Sequence, residues 1–332
     1  ILAAALHLEQ ADPDALMLVA PSDHVIPDSE AFLASIEAAI EAARSGQLVT
    51  FGIQPTHPET GYGYLELSQP VKNGKLSPIK LKQFVEKPSA ERATEMLESG
   101  NYLWNAGIFL FSVASIIEAF ATHEPGMLEH VRKSVKKTQT DLGFLRLDPA
   151  SWNEAKSISI DYAVMERTPN LSVVPFAGGW SDLGGWDAVL RETGPDANGV
   201  STSGPVTVMD CEDSLLRSED DGLELVGIGL KNIIAVAMPD AVLIADGSRA
   251  QDVKLAVSEL KAKQAPQADQ FPRDYRPWGW FESITMGERF QVKRIMVKPG
   301  QSLSLQSHHH RAEHWIIVSG TAKVTIGNEV KL

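Results

Sequence analysis

The first 190 residues alternate between two hydrophobic periods. Leu16-Met17-Leu18-Val19-Ala20 is a short apolar run of the kind that forms a buried parallel strand. Phe32, Leu33, Ile36, Ala39, Ile40 and Ala43 then recur at helical spacing, and Gly46 closes that helix. Leu48 to Gly52 is the next strand, completing a unit that makes a right-handed crossover between parallel strands. The pattern predicts further strands at Lys80–Val85, Ile108–Ser112 and Leu171–Phe176. Between them it predicts a helix capped by Ser89 and ended at Gly100, and helices over 113–138 and 159–166. Strands and helices in alternation argue for an open α/β sheet.

After Asn198 the texture changes. From Val206 to Leu255, short Val- and Ile-rich runs are separated by Asp, Gly and Asn, with little helical periodicity, as in the short rungs of a β-helix. Residues 261–276 are polar and proline-containing and read as a linker, and 277–332 are strand-dominated. The expected organisation is therefore an α/β domain over 1–197, a β-rich segment over 198–260, a linker, and a second domain from 277. That second domain holds an ordered spacing: Gly300, five residues, Gln306-x-His308, four residues, Glu313, six residues, Gly320. Alternate strand residues share a face, so Gln306 and His308 are expected to point the same way and His309 the other.

Composition narrows the class. A hydrophobic fraction of 43% is ordinary for a globular protein. A net charge of −13 and a pI near 5.2 argue against nonspecific binding to nucleic acid or anionic membranes. Phosphorylated substrates would then need local positive charge from lysine or a divalent metal. The single cysteine, Cys211, excludes an internal disulfide and fits a cytoplasmic setting. No apolar run approaches the roughly 20 residues of a membrane span, and no signal-peptide pattern appears.

Several loops carry candidate chemistry. Asp23 in APSDHVIPD follows the first strand, where it can hold a metal or simply cap a helix. Gly61 and Gly63 in ETGYGYLEL allow close backbone approach to a ligand, or form a β-turn. In FVEKP, Glu86 can accept sugar hydroxyls and Lys87 can meet a phosphate, with a surface ion pair as the ordinary alternative. Asn105 in WNAGIF can both donate and accept, and Asp182 in WSDLGGWD is a second candidate metal ligand.

In this order and spacing, APSDHVI, ETGYGYLE, FVEKP, WNAGIF, SIDYAVMER and WSDLGGW closely resemble the mannose-1-phosphate guanylyltransferases. The segment RPWGWFE…SLQSHHHRAEHWIIVSGTA resembles the cupin isomerase domain fused to them in bacterial bifunctional enzymes, with Gln306 in place of the usual first histidine. The resemblance implies an open mixed sheet with helices on both faces, a β-helix-like segment and an incomplete cupin barrel. It implies GDP-mannose and pyrophosphate made from mannose 1-phosphate and GTP, and interconversion of mannose 6-phosphate with fructose 6-phosphate. Asp23 and Asp182 would hold Mg²⁺ and Lys87 the sugar phosphate. Glu86, Asn105 and the Gly61–Gly63 backbone would read mannose, with Asp161 nearby. Gln306, His308 and Glu313 would ligate Zn²⁺, and the β-rich segment would assemble subunits.

The same resemblance implies a chain cut at both ends. The glycine-rich triphosphate loop is expected before Ile1, and the fourth zinc ligand after Leu332. A transferase for another hexose 1-phosphate, or a non-catalytic sugar-nucleotide-binding or assembly module, are the alternative expectations.

Overall fold

A computed structural model of the chain describes residues 1–71, 76–141, 144–310 and 312–332. It divides into two units, Ile1–Asp269 and Gln270–Leu332. The first begins with α1 (Leu2–Leu8), β1 (Leu16–Val19), α2 (Ser29–Arg44), β2 (Leu48–Ile53), β3 (Gly63–Leu67) and β4 (Ile79–Glu86). It continues with α3 (Ala90–Ser99), β5 (Tyr102–Ser112), α4 (Val113–His123), α5 (Pro125–Lys136), β6 (Gln139–Asp141), β7 (Phe144–Arg146) and α6 (Pro149–Asn153). A π-helical turn at Asp161–Met165, β8 (Leu171–Phe176) and α7 (Trp186–Glu192) complete the α/β part.

Local chemistry sets these boundaries. The Asp28 carboxylate accepts from Ala31 N–H at the start of α2, and Ser89 accepts from Arg92 N–H at the start of α3. Gly100 ends α3 in the left-handed region at φ 68°, where a side chain would be strained. The long helical pattern over 113–138 breaks at Glu124-Pro125, because proline starts a helix but cannot continue one.

The main sheet has the order β1-β5-β2-β8-β4-β3. It is mixed: β2 runs parallel to β8, and the β1–β5, β2–β5, β3–β4 and β4–β8 pairs are antiparallel. β1 and β2 are thus parallel, as expected, but β5 lies between them. The eleven residues of β5 serve three partners: Phe109–Ser112 hold β1, Tyr102–Trp104 hold β3, and Trp104, Asn105, Phe109 and Leu110 pair with β2. Because β3 returns to β5, the ladder β5-β2-β8-β4-β3 closes on itself where an open sheet was expected.

Period-two alternation divides the core between the two faces. Phe109 and Phe111 pack with α1, α4 and α5 through Leu6, Ile116, Phe120 and Val131. Ile108 and Leu110 join Val49, Phe51 and Val174 beneath Ala39 and Ala43 of α2. A third cluster of Tyr64, Val85, Ala93, Met96 and Trp104 seats α3.

The β-rich part contains β9 (Ser201–Ser203), β10 (Val206–Met209), β11 (Leu215–Ser218), β12 (Leu225–Ile228), β13 (Ile233–Ala237) and β14 (Val242–Asp246). Parallel pairs β9–β11, β11–β13 and β10–β12 give the short rungs expected. A 3₁₀ turn (Gly247–Asp252) and α8 (Val253–Ala262) follow, where strands and then a linker were expected. From Ser248 to Ala262 the stretch carries no Gly or Pro, so local helix propensity prevails.

The second unit is β15 (Arg273–Arg276), β16 (Gly279–Gly287) and β17 (Phe290–Val297) in an antiparallel meander, plus the hairpin β18 (Val324–Ile326) and β19 (Glu329–Lys331). Gly327, at φ 60°, makes the tight turn of that hairpin. β15 falls inside the stretch read as a linker. No strand is assigned between β17 and β18 among the described residues, so Gln306 and His308 do not share a strand face. A strand exists only where a ladder partner takes its backbone groups, and none pairs there.

The β2–β5 ladder contains a register shift between Thr50 and Gly52. A Cβ on Gly52 would lie 2.6 Å from Leu103 Cδ1 and 2.7 Å from Val173 Cγ2. Gly52→Ala is expected to lower stability by about 1–3 kcal/mol through overpacking. Chemical denaturation checks this, and an unchanged midpoint would mean the strands yield to the methyl.

Candidate functional site

Asp23, His24 and Val25 leave the end of β1, and Trp180-Ser181-Asp182 follow β8. An isolated antiparallel bridge joins them: Val25 N–H donates to Ser181 O at 2.8 Å, and Ser181 N–H to Val25 O at 3.0 Å. Beside it, the Trp180 indole N–H donates to His24 Nδ1 at 3.1 Å. That bond makes Nδ1 an acceptor, so a neutral His24 carries its proton on Nε2. Burial holds the His24 imidazole below its usual pKa, against the opposing pull of Asp23 and Asp182. Both carboxylates are therefore near enough to act on the same imidazole electrostatically. The capping alternative for Asp23 is taken by Asp28 instead.

Asp182 is held from two sides. Its Oδ1 accepts from the Tyr62 hydroxyl at 2.7 Å and from Gly184 N–H at 3.1 Å. Tyr62 stands edge-on to Trp104 and Trp180, with ring centroids 5.2 and 5.3 Å away. Burial, and then the bond to Asp182, push its pKa far up, so it remains a donor at any ordinary pH. Leu183 beside it has φ 49°, a costly conformation for a branched-chain residue.

The sugar-reading candidates lie along β3, β4 and β5. Lys87 sits at φ 47°, and its N–H donates to Tyr62 O at 3.1 Å, linking β4's end to the glycine-aromatic loop. Its Nζ is 3.5 Å from Glu86 Oε1; the Lys87 side chain is exposed, whereas that of Glu86 is only 9% exposed. Glu86 is thus more than half of a surface ion pair. A Cβ on Gly63 would lie 2.6 Å from Glu86 Oε2, so glycine is what admits that carboxylate. The Gly61 N–H already donates to Glu59 Oε1 at 2.8 Å, so this amide is engaged within the loop.

Asn105 is buried, with its Oδ1 accepting from Thr50 Oγ1 at 2.7 Å and its Nδ2 donating to Asp161 Oδ1 at 3.4 Å. Burial raises the Asp161 pKa, and burial followed by repulsion from Asp161 raises that of Glu86, with Lys87 opposing. Glu166 also enters, accepting from Glu86 N–H at 3.0 Å. One end of the sheet therefore gathers Asp23, Asp182, Asn105 and Asp161 from separate elements, with Glu86 and Lys87 together from the end of β4.

Tyr62, His24, Trp180, Thr50 and Glu166 were not among the residues singled out from sequence. Tyr62, His24, Trp180 and Glu166 stand inside the matched motifs, beside residues that were. Thr50 had no signal, since a threonine in a β-strand is ordinary.

In the second unit, His308 Nε2 lies 3.0 Å from Glu313 Oε1, so two expected zinc donors meet. Gln306 is exposed and joins neither in any described contact. Among the described residues, no group of three or more His, Cys, Asp or Glu gathers as a metal cluster. Arg311 of this cassette lies outside the described residues. No helix among them is long and apolar enough to cross a membrane.

Comparison with known proteins matches residues 1–198 to the nucleotidyl transferase family and 263–332 to the mannose-6-phosphate isomerase C-terminal family. Xanthan biosynthesis protein XanB of Xanthomonas campestris pv. campestris is 45% identical over 100% of this chain and 69% of its own length. A mannose-1-phosphate guanylyltransferase of Escherichia coli is 44% identical over 100% of this chain and 69% of its length. Alginate biosynthesis protein AlgA of Pseudomonas aeruginosa is 41% identical over 99% and 68%. The crystal structure of a mannose-1-phosphate geranyltransferase from Thermus thermophilus superposes with a TM-score of 0.65 at 28% identity, covering 78% of this chain and 73% of that one.

The buried Glu86 carboxyl gives a pH prediction. Its folded pKa is raised, so its contribution to stability is present below the unfolded value of 4.5 and is lost as pH rises through the folded value. Above the folded value the ionised, buried group is a liability that Glu86→Gln removes. The variant should melt higher there, by roughly 2–4 °C per kcal/mol relieved, and the gain should vanish in acid. Equal midpoints across pH, by scanning calorimetry, would contradict this.

Proposed function

The chain belongs to the nucleotidyl transferase family, and from that premise we propose that it makes GDP-mannose and pyrophosphate from mannose 1-phosphate and GTP. The carrying observation is the Val25–Ser181 bridge, which with the Tyr62–Asp182 hydrogen bond sets two carboxylate loops at one end of the sheet. In α/β sheets such strand-end crevices are where ligands bind.

In the reaction, a phosphate oxygen of mannose 1-phosphate attacks the α-phosphorus of GTP. The new P–O bond forms as the bond to the β-phosphate breaks, and pyrophosphate leaves. Approach of two polyanions in line requires charge neutralisation and fixed geometry. Lys87, exposed beside the buried Glu86, meets the sugar phosphate as a point charge. Asn105, Glu86 and Asp161 face mannose hydroxyls with one amide and two carboxylates. Gly63 admits the Glu86 carboxylate to this place, while Gly61 contributes its carbonyl, its N–H being taken.

Asp23 and Asp182 are the residues that would hold Mg²⁺. The donor set fits: hard carboxylate oxygens, too few for an all-protein cage, suit a cation that keeps waters and binds phosphates. When bound, magnesium supplies charge neutralisation and orients phosphate oxygens. Tyr62 keeps the Asp182 carboxylate in one orientation, since a donor at 2.7 Å that does not ionise cannot become a repelling neighbour.

The C-terminal unit enters this reading as a mannose-6-phosphate isomerase module acting on mannose 6-phosphate and fructose 6-phosphate. Zn²⁺ would sit at His308 and Glu313, an N and O pair that zinc accepts. Gln306 lies outside any assigned strand, so it does not share a strand face with His308. A cytoplasmic setting accords with the one cysteine, Cys211, being buried and free.

Pyrophosphate release from GTP tests the reading, with mannose 1-phosphate compared against other hexose 1-phosphates. Mannose 1-phosphate should be preferred, and Asp182→Ala should slow turnover by about 100-fold or more. Preference for another sugar phosphate, or an unaffected Asp182→Ala variant, would overturn it.

A further inference from the structure

Thr50 touches no solvent and makes a side-chain contact that the strand does not require. Its hydroxyl lies 2.7 Å from Asn105 Oδ1 and 3.1 Å from the Ile108 carbonyl. A hydroxyl has one proton to donate. The shorter contact, to Asn105, takes it.

The consequence falls on Asn105. A side-chain amide has two faces, carbonyl and NH₂, and its orientation follows from its hydrogen-bond network. In the alternative orientation Nδ2 would donate to Thr50, which would pass its proton to Ile108 O. The carbonyl of Asn105 would then confront Asp161. An ionised carboxylate accepts only, so that arrangement sets two acceptors against each other. In the observed orientation Nδ2 donates to Asp161 Oδ1 at 3.4 Å, and the second N–H of Nδ2 remains for a ligand.

The backbone makes this relay available. The register shift between Thr50 and Gly52 carries the β2–β5 pairing from Thr50↔Phe109 to Gly52↔Asn105. Three residues of β5, Ala106 to Ile108, thus face a single residue of β2, and Gly107 takes φ 68°. The bulge turns Asn105 inward, where it is 9% exposed, onto the Thr50 hydroxyl.

We propose that Thr50 is a positioning residue, holding the Asn105 amide so that a donor edge, paired with the Asp161 acceptor, is presented to sugar hydroxyls. Adjacent sugar hydroxyls each donate and accept, so a fixed donor–acceptor pair suits them. This rests on the reading of Asn105 as a mannose contact, and it adds what anchors the amide whose orientation Asp161 selects.

The test compares Thr50→Val, which keeps shape and loses the hydroxyl, with Thr50→Ser, which keeps the hydroxyl. Calorimetric titrations with mannose 1-phosphate and with GTP are run on each variant and on the wild-type chain. Thr50→Val should weaken mannose 1-phosphate binding about five- to tenfold, in line with a lost hydrogen bond, and leave GTP binding within twofold. Thr50→Ser should restore sugar-phosphate binding to within twofold of wild type. A general loss of structure would weaken both ligands together and would not be rescued, and that outcome overturns the proposal. Unchanged mannose 1-phosphate binding in Thr50→Val, with a binding-competent wild type, overturns it as well. A wild type that binds GTP but no mannose 1-phosphate would instead overturn the functional reading, and this inference with it.

Discussion

Two backbone hydrogen bonds between Val25 and Ser181 hold the site together. They join loops that enter from opposite parts of the chain, and the placing of Asp23 beside Asp182 depends on that junction. Without it, Asp23 would follow β1 and Asp182 would follow β8 with nothing to set their spacing. With it, Trp180 reaches His24 across 156 positions of sequence, and Tyr62 reaches Asp182 across 120. The strands behind the bridge are held in place: β1 is paired to β5 and β8 to β2, whose apolar positions fill the core on both faces.

The site works against stability. Glu86 and Asp161 are carboxylates whose ionisation burial opposes, Asp161 adds to the cost at Glu86, and Lys87 and Leu183 occupy left-handed backbone conformations. Such features persist where surrounding structure overdetermines them. Here the constraint is visible: Gly63 makes room for Glu86, Tyr62 O holds Lys87 N–H, and the Ser181 hydroxyl accepts from Leu183 N–H. An acidic chain can still handle phosphates at such a place if cations, from Lys87 or a metal, are concentrated there.

Much of the α/β part was legible because its signals are local. Asp28, Ser89 and Gly100 mark helix ends by their own chemistry, and apolar runs mark β2 and β8. What escaped was pairing. Nothing in Tyr102–Ser112 says that one strand will serve β1, β2 and β3, so closure of the ring could not be read from it. The cassette from Gly300 to Gly320 shows the reverse limit: its spacing identifies a domain family, yet a strand needs a partner, and spacing alone supplies none. Among site residues, those in unusual contexts (Asp23, Lys87, Asn105, Asp182) stood out. Thr50 and Tyr62 did not, because their roles are set by which neighbour a bulge or a loop brings within hydrogen-bond reach.

On the proposed function, the bridged loops make Asp23 and Asp182 one cation site. Manganese, as a paramagnetic substitute for magnesium, reports on it directly. Electron paramagnetic resonance of Mn²⁺ titrated with the protein and GDP-mannose should show one bound ion in the wild type. That signal should disappear in Asp23→Asn and equally in Asp182→Asn. Retention of the bound ion in either variant would show that the two carboxylates do not share a cation and would contradict the account.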